Sequence, residues 1–406
     1  MRIEIDNDRV VAFLKGKINS ENSTRVQEEL NDVIARNPGR RLEIDAGELT
    51  YISSAGLRVL LQIRKNMGRP LTVRNVSPEI HDIMEVTGFT SLLDVKKKLR
   101  EISVEGCEVV GRGAIGTVYR MDEDTIVKVY EIPDCLPMIE NEQRRAKQAF
   151  MKGIPTAISY DVVKVGDKYG SVFELLKATT YNDIILRHPE RLDEVVRQYA
   201  AFIRSLHAVE TEPGELPEAK RVFLGYLDGL RAVLPGALVE RLRALFEAMP
   251  EDLHVIHGDI QMKNVMVSDD QPILIDMDTL SMGDPVFDLM SLYVAYVQFN
   301  EDDPNNSERF FGFPEAVSRS LWNGLVRWYF EGLDEEALEE KIRRITVVAL
   351  VRFIYLIAVM DIGEPDLKAI RFEHALARLE ELAWQVEGLA VREQRPGSEG
   401  NSGDVP

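Results

Sequence analysis

The chain has 406 residues, more than one hydrophobic core usually organises, so two domains are expected. Hydrophobic residues make up 45% and charged residues 29%, which argues against wholesale disorder. A formal net charge of −19, with no Lys/Arg stripe interleaved with aromatics, argues against nucleic acid as a main partner.

Only Cys107 and Cys135 are present, too few for a disulfide framework and without the paired spacing of a zinc site. The opening MRIEIDNDRV lacks the apolar run of a signal peptide. The most apolar stretch, Ile345 to Met360, is short and interrupted by Arg352, so it reads as a buried helix and no membrane span is expected. These features together predict a cytoplasmic protein.

In chain order, β-patterned runs at Arg2 to Ile5, Val10 to Leu14 and Arg41 to Ile44 alternate with helical periods at Ser23 to Ala35 and Gly56 to Met67. A strand at Leu71 to Val73 and a helix at Glu79 to Val86 follow, and VKKKLREI reads as a basic helix leading to a boundary near residue 105. Within this α/β region, LEIDAGELTYISSAGLRVLL places a strand, a short loop and a helix that opens at two serines. Ser54 is the expected N-cap. A phosphate there would meet free backbone amides and the positive end of the helix dipole, so Ser54 is also a candidate phosphoacceptor.

This segment, with the first hundred residues around it, resembles the anti-sigma factor antagonist (STAS) domain. In ISSAGLR, Ser54 aligns with the family's phosphorylatable serine, and Ser53 stands where many members carry aspartate. The resemblance implies an anti-sigma factor or a partner kinase as binding partner. Residues 1 to 104 are assigned to this domain.

From Cys107 to Phe173 the pattern is strand, glycine-rich turn, strand, helix and strands, and from Tyr181 long amphipathic helical periods dominate. A β-rich lobe followed by a helical lobe is the outline of a kinase fold. In GRGAIGTVY, Gly111, Gly113 and Gly116, with Val118 beyond them, would let backbone amides approach a triphosphate. In IVKVY, Lys128 is a single cation on an apolar strand, placed to reach the α and β phosphates. Its partner would be a glutamate on the next helix, Glu142 first and Glu140 as the close alternative.

The densest signal is VIHGDIQMKNVMV. Phosphoryl transfer needs a carboxylate that orients and deprotonates a hydroxyl, and an amide oxygen nearby that holds magnesium; Asp259 and Asn264 have that spacing. PILID then ends an apolar strand in Asp276, the expected magnesium ligand, with Asp278 close behind. ATP and Mg²⁺ are therefore the expected cofactors.

Residues from about 107 to 390 resemble the aminoglycoside phosphotransferase and choline kinase group on HGDIQMKN and ILIDMDTLSMGDPVFDL, with Gly258 in place of the arginine in the His-Arg-Asp of protein kinases. Leu206-His207 at a helix end fits the same group. The resemblance implies structural roles for His257 and for Asp288, which would anchor the catalytic loop. It also implies that Glu174 to Leu176 form the hinge that binds adenine. Gln261 stands where serine/threonine kinases carry lysine, and no Ala-Pro-Glu segment follows Asp276.

The expected architecture is an α/β STAS domain followed by an α+β, two-lobed protein kinase-like domain at 105 to 391, with a disordered tail at 392 to 406. The expected function is ATP- and magnesium-dependent transfer of the γ-phosphate to a hydroxyl, on a small molecule or a protein serine, coupled to a STAS partner-switching module. The alternative is a non-catalytic, nucleotide-sensing scaffold. No segment names the acceptor.

Overall fold

The computed structural model describes residues 1–6, 8–113 and 115–392; most of the expected tail lies outside the described residues. Two compact units emerge, one of Met1–Glu105 with Val162–Gly170 and one of Gly106–Asp161 with the chain from Ser171 onward.

In the first unit, β1 (Arg2–Ile5), β2 (Arg9–Ile18), β3 (Arg41–Ile52), β4 (Thr72–Val76) and β5 (Asp94–Lys97) form one sheet in the order β1-β2-β3-β4-β5. β1 pairs antiparallel with β2, with Arg2 opposite Phe13, and the remaining pairs are parallel. Helices α1 (Ser23–Arg36), α2 (Ser54–Met67) and α3 (Pro78–Val86) supply the crossovers that parallel pairing requires. Their apolar stripes and one face of the sheet bury Val10, Ala12, Leu30, Ile44, Leu60, Ile63 and Val73 in a single core.

The run expected as a basic helix is β structure instead. β5 contains VKK and pairs parallel to β4, Val95 opposite Val73, and Arg100–Glu101 (β6) pairs with Val163–Lys164. Lysines favour a helix locally, but an open sheet edge offers β5 hydrogen bonds that an isolated turn of helix cannot match.

The second unit begins with antiparallel β7 (Glu108–Arg112), β8 (Gly116–Arg120) and β9 (Thr125–Tyr130), followed by α4 (Leu136–Met151). β10 (Ser159–Val165) and β11 (Lys168–Glu174) come next in the chain and are divided between the two units, with Val162–Gly170 in the first. β12 (Thr179–Thr180) leads into α5 (Tyr181–Arg187), α6 (Leu192–Leu206), α7 (Ala219–Leu230) and α8 (Gly236–Glu247). Thr180 opens α5 with a capping box to Asp183. The 24-residue helix Glu335–Ala358 runs through this unit, and Ile345 to Leu350 are all buried, as its all-round apolar pattern requires. Its Arg352 donates to the Tyr226 hydroxyl at 2.9 Å. Among the described residues, no helix is long and apolar enough to cross a membrane.

Between these helices lies a short β platform. β13 (Val255–Ile256) pairs with β16 (Ser281–Met282), and β14 (Val265–Ser268) forms a hairpin with β15 (Gln271–Leu274). The segments after β13 and after β15 carry Asp259 and Asp276, and α9 (Val286–Tyr293) follows with Asp288.

Candidate active site

The loop after β13 is held from beneath by Asp288, which is fully buried. Its Oδ2 accepts the His257 amide at 2.8 Å and meets His207 Nε2 at 2.9 Å, while Oδ1 accepts the Gly258 amide. Because a carboxylate only accepts, Nε2 of His207 must carry the proton. Burial opposes the charge on Asp288, but the hydrogen bond and charge of His207 outweigh it and hold the carboxyl below its ordinary value. His257, also fully buried, lies 3.0 Å through Nε2 from the Ile275 carbonyl and accepts the Asp259 amide on Nδ1 at 3.3 Å. One imidazole thus ties the loop bearing Asp259 to the strand end bearing Asp276.

Gly258 has φ of +86°, and a Cβ there would lie 2.8 Å from the Thr279 carbonyl oxygen. An arginine, as in protein kinases, has no room on this backbone.

Asp259 Oδ1 accepts Gln261 Nε2 at 2.7 Å. Asn264 Nδ2 donates to the Asp259 carbonyl at 2.9 Å and to Oδ2 at 3.1 Å. Burial pushes the Asp259 carboxyl above its ordinary value, the bond from Gln261 pulls it back, and the charge of Asp276 adds to the rise. Asp278 is raised by burial and then by Asp276. Asp276 itself adopts a left-handed backbone, φ 57°, at the strand end, a conformation that costs energy and clusters at functional sites.

Lys128 on β9 ion-pairs with Asp276 Oδ1 and lies 3.6 Å from Glu142 Oε1 on α4. Burial opposes its charge, but Asp276 and Glu142 more than compensate, so its ammonium sits above the ordinary lysine value. Glu142 is 6% exposed, and its carboxyl is pushed up by burial and pulled back by Lys128.

Gly111 lies within β7, and Gly113 donates to the Gly116 carbonyl at 2.9 Å across the hairpin. Only Gly116 is demanded by packing: a Cβ there would stand 2.4 Å from the Val129 carbonyl oxygen. Val118 pairs with Lys128 across β8 and β9. Glu174 ends β11 exposed, and at Leu175 the backbone amide is taken by the Asp124 carbonyl at 2.7 Å; Leu176 follows. The structure therefore gathers Lys128, Glu142, Asp259, Asn264 and Asp276 through direct or shared contacts, while Gly111, Gly113 and Glu174 make no side-chain contact with that group.

The sequence alone assigns no role to Tyr130 or Tyr296, and it marks Gln261 as a departure from protein kinases without pointing to its bond with Asp259. Tyr130 donates to Glu142, and the Tyr296 hydroxyl accepts the Met262 amide at 3.0 Å. Tyr130 alone carried a legible signal, since it lies two residues beyond Lys128 and so on the same face of β9.

In the first unit the serines differ from expectation. Ser53, extended at φ −88° and ψ 172°, is the N-cap of α2, and its Oγ accepts the Gly56 amide at 3.3 Å. Ser54 is the first helical residue and is exposed. The cap falls on Ser53 because a capping hydroxyl must come from the last non-helical residue to reach amides two or three positions on.

The family model for the phosphotransferase enzyme family matches residues 106–320, and the model described as Mlab, STAS domain matches residues 1–94. The BtrV protein of Bordetella bronchiseptica, assigned as an anti-sigma factor antagonist, is 33% identical over 100 residues, which are 23% of this chain and 85% of that protein. Among solved structures, an ADP-bound aminoglycoside phosphotransferase, APH(2'')-Ib, is 15% identical, with 68% of this chain and 93% of that one covered and a TM-score of 0.45. A choline/ethanolamine kinase family protein from Mesorhizobium loti is 18% identical, with 68% and 87% covered and a TM-score of 0.44. With more than half its length matched by one model and its first 94 residues by the other, the chain belongs to the phosphotransferase enzyme family and carries an N-terminal STAS domain of the anti-sigma factor antagonist type.

Proposed function

We propose that the second unit transfers the γ-phosphate of ATP to a hydroxyl acceptor in a magnesium-dependent reaction, and that the STAS unit couples this activity to a protein partner. The observation that carries the reading is the meeting of Lys128, Glu142, Asp259, Asn264 and Asp276, drawn from four separate segments, at one place. Asp259 accepts the acceptor's proton as its oxygen attacks, and Lys128 holds the phosphates. The donor set suits a hard cation: Asp276 and Asn264 offer oxygens, and burial and then the charge of Asp276 push the Asp259 and Asp278 carboxyls above their ordinary values. When bound, magnesium would neutralise charge on the phosphates. Gln261 and Asn264 keep the Asp259 carboxylate oriented.

The hydroxyl belongs to a small molecule or a protein serine, and one assay separates these classes. Purified protein is incubated with γ-labelled ATP, alone and with choline, aminoglycosides, sugars and simple alcohols. Label should move to one acceptor in wild type and to none in Asp259→Asn. Absence of ATP turnover with every acceptor would leave a nucleotide-sensing scaffold as the better account.

A further inference from the structure

Lys128 and Tyr130 project from the same face of β9, and between them and α4 lies a buried polar relay that the reaction chemistry described above does not use. Tyr130 is fully buried, Glu142 is 6% exposed and Ser171 is 2% exposed. The Tyr130 hydroxyl donates to Glu142 Oε2 at 2.9 Å and lies 3.4 Å from Ser171 Oγ. The other oxygen of the same carboxylate, Oε1, is the one 3.6 Å from Lys128 Nζ. Burial, then the charge of Glu142, pushes the Tyr130 hydroxyl's pKa far above its ordinary value, so the hydroxyl keeps its proton and remains a donor.

The geometry explains why a second hold on Glu142 matters. Lys128 is shared: its ammonium is paired with Asp276 and stands farther from Glu142. A lysine that must leave a carboxylate to meet phosphate needs its other partner held still, or it will follow the nearest negative charge. Glu142 sits on a helix and has three rotatable side-chain bonds, and Lys128 alone does not fix it. Tyr130 is rigid by comparison, since its backbone lies in the sheet opposite Gly116 of the glycine hairpin. A mere packing role would be served as well by phenylalanine, whereas here the hydroxyl makes a charge-assisted hydrogen bond out of reach of water.

We propose that Tyr130 is a positioning residue that fixes Glu142, and through it sets the place of Lys128 when nucleotide binds. This rests on the phosphotransfer reading for its kinetic consequences but not for its structural ones.

The test is a double-mutant cycle of Tyr130→Phe and Glu142→Ala, read as kcat and as KM for ATP under saturating magnesium. Tyr130→Phe should lower kcat about tenfold, the equivalent of one charge-assisted hydrogen bond of roughly 1.4 kcal/mol, with KM for ATP changed by no more than about twofold. In the Glu142→Ala background the same substitution should cost nothing further, because the group it acts through is gone. Should Tyr130→Phe fail to fold because its buried carboxylate loses a partner, the double variant lacks that carboxylate and still decides the matter against Glu142→Ala alone. A second readout needs no turnover: the rate at which an acyl-phosphate derivative of ATP labels Lys128, located by mass spectrometry, should fall in Tyr130→Phe. If wild type shows no phosphotransfer yet labelling slows in Tyr130→Phe, the phosphotransfer reading falls and the positioning role stands. Unchanged kcat and labelling in Tyr130→Phe, or equal losses with and without Glu142, would overturn the proposal.

Discussion

The candidate active site and the serine pair at the start of α2 are both proposed to handle phosphate, yet they are built on opposite plans. Around Asp259 the groups come from β9, α4, the loop after β13 and the end of β15, and they are joined by buried hydrogen bonds through His257 and Asp288. At α2, Ser53 and Ser54 are adjacent in sequence, Ser54 is exposed, and a single capping bond is involved. The contrast teaches what each task requires. Phosphoryl transfer needs several charges held against their mutual repulsion, so it needs a scaffold, whereas a site that only receives a phosphate needs free amides at a helix start and access from solvent.

If the first region is interdependent, single changes there should be severe. Asp276→Ala is expected to lower magnesium-dependent turnover by at least about 10³-fold, as removal of preorganised electrostatic stabilisation does, while the thermal midpoint stays near that of wild type. Steady-state kinetics beside a melting curve would check this, and turnover within tenfold of wild type would break the comparison at its stronger end.

The supporting layer should fail differently. Asp288→Ala leaves the His257 and Gly258 amides and the His207 ring without their partner, and is expected to cost about 3–5 kcal/mol of stability, read by urea unfolding. The acidity of Asp288 also sets a pH dependence. Its carboxyl lies below its ordinary value in the folded chain, so its contribution is complete above the unfolded value near pH ~4 and is lost as pH falls through the lower folded value. Thermal midpoints should therefore drop steeply in that acid range for wild type, and less steeply for Asp288→Asn.

In the first unit the effects should be small and local. Ser53→Ala removes the cap and should cost about 1 kcal/mol, whereas Ser54→Ala should lie within about 0.5 kcal/mol of wild type. Equilibrium unfolding of the two variants would sharpen the assignment; the reverse ranking would return the cap to Ser54. The smallest structural change carries the regulatory idea, with Ser54 as phosphoacceptor. Incubation with magnesium and ATP should add the mass of one phosphate to wild type but not to Ser54→Ala or Asp259→Asn, by intact-mass measurement. Persistence of the added mass in Ser54→Ala would place the acceptor elsewhere.

What was legible in the sequence was whatever lies close along the chain. Asp259 and Asn264 are five residues apart, Asp276 ends an apolar run, and Lys128 is the one cation in its strand, so their types and spacing could be read without coordinates. The helices α1, α2 and α3 were legible for the same reason, because their apolar periods are local. Three things were settled only by tertiary structure. The lysine-rich segment became β5 because β4 offers it a hydrogen-bonded edge, a partner some twenty residues away that outweighs local helix preference. Ser53 rather than Ser54 caps α2 because the end of β3 fixes where extended backbone gives way to helix. The sequence offers both Glu142 and Glu140 on the helix after Lys128, and the distance of Glu142 to Lys128 and its bond from Tyr130 depend on how α4 packs on the sheet. In each case several local conformations or partners lie within about 1 kcal/mol of one another, and burial of distant side chains decides among them.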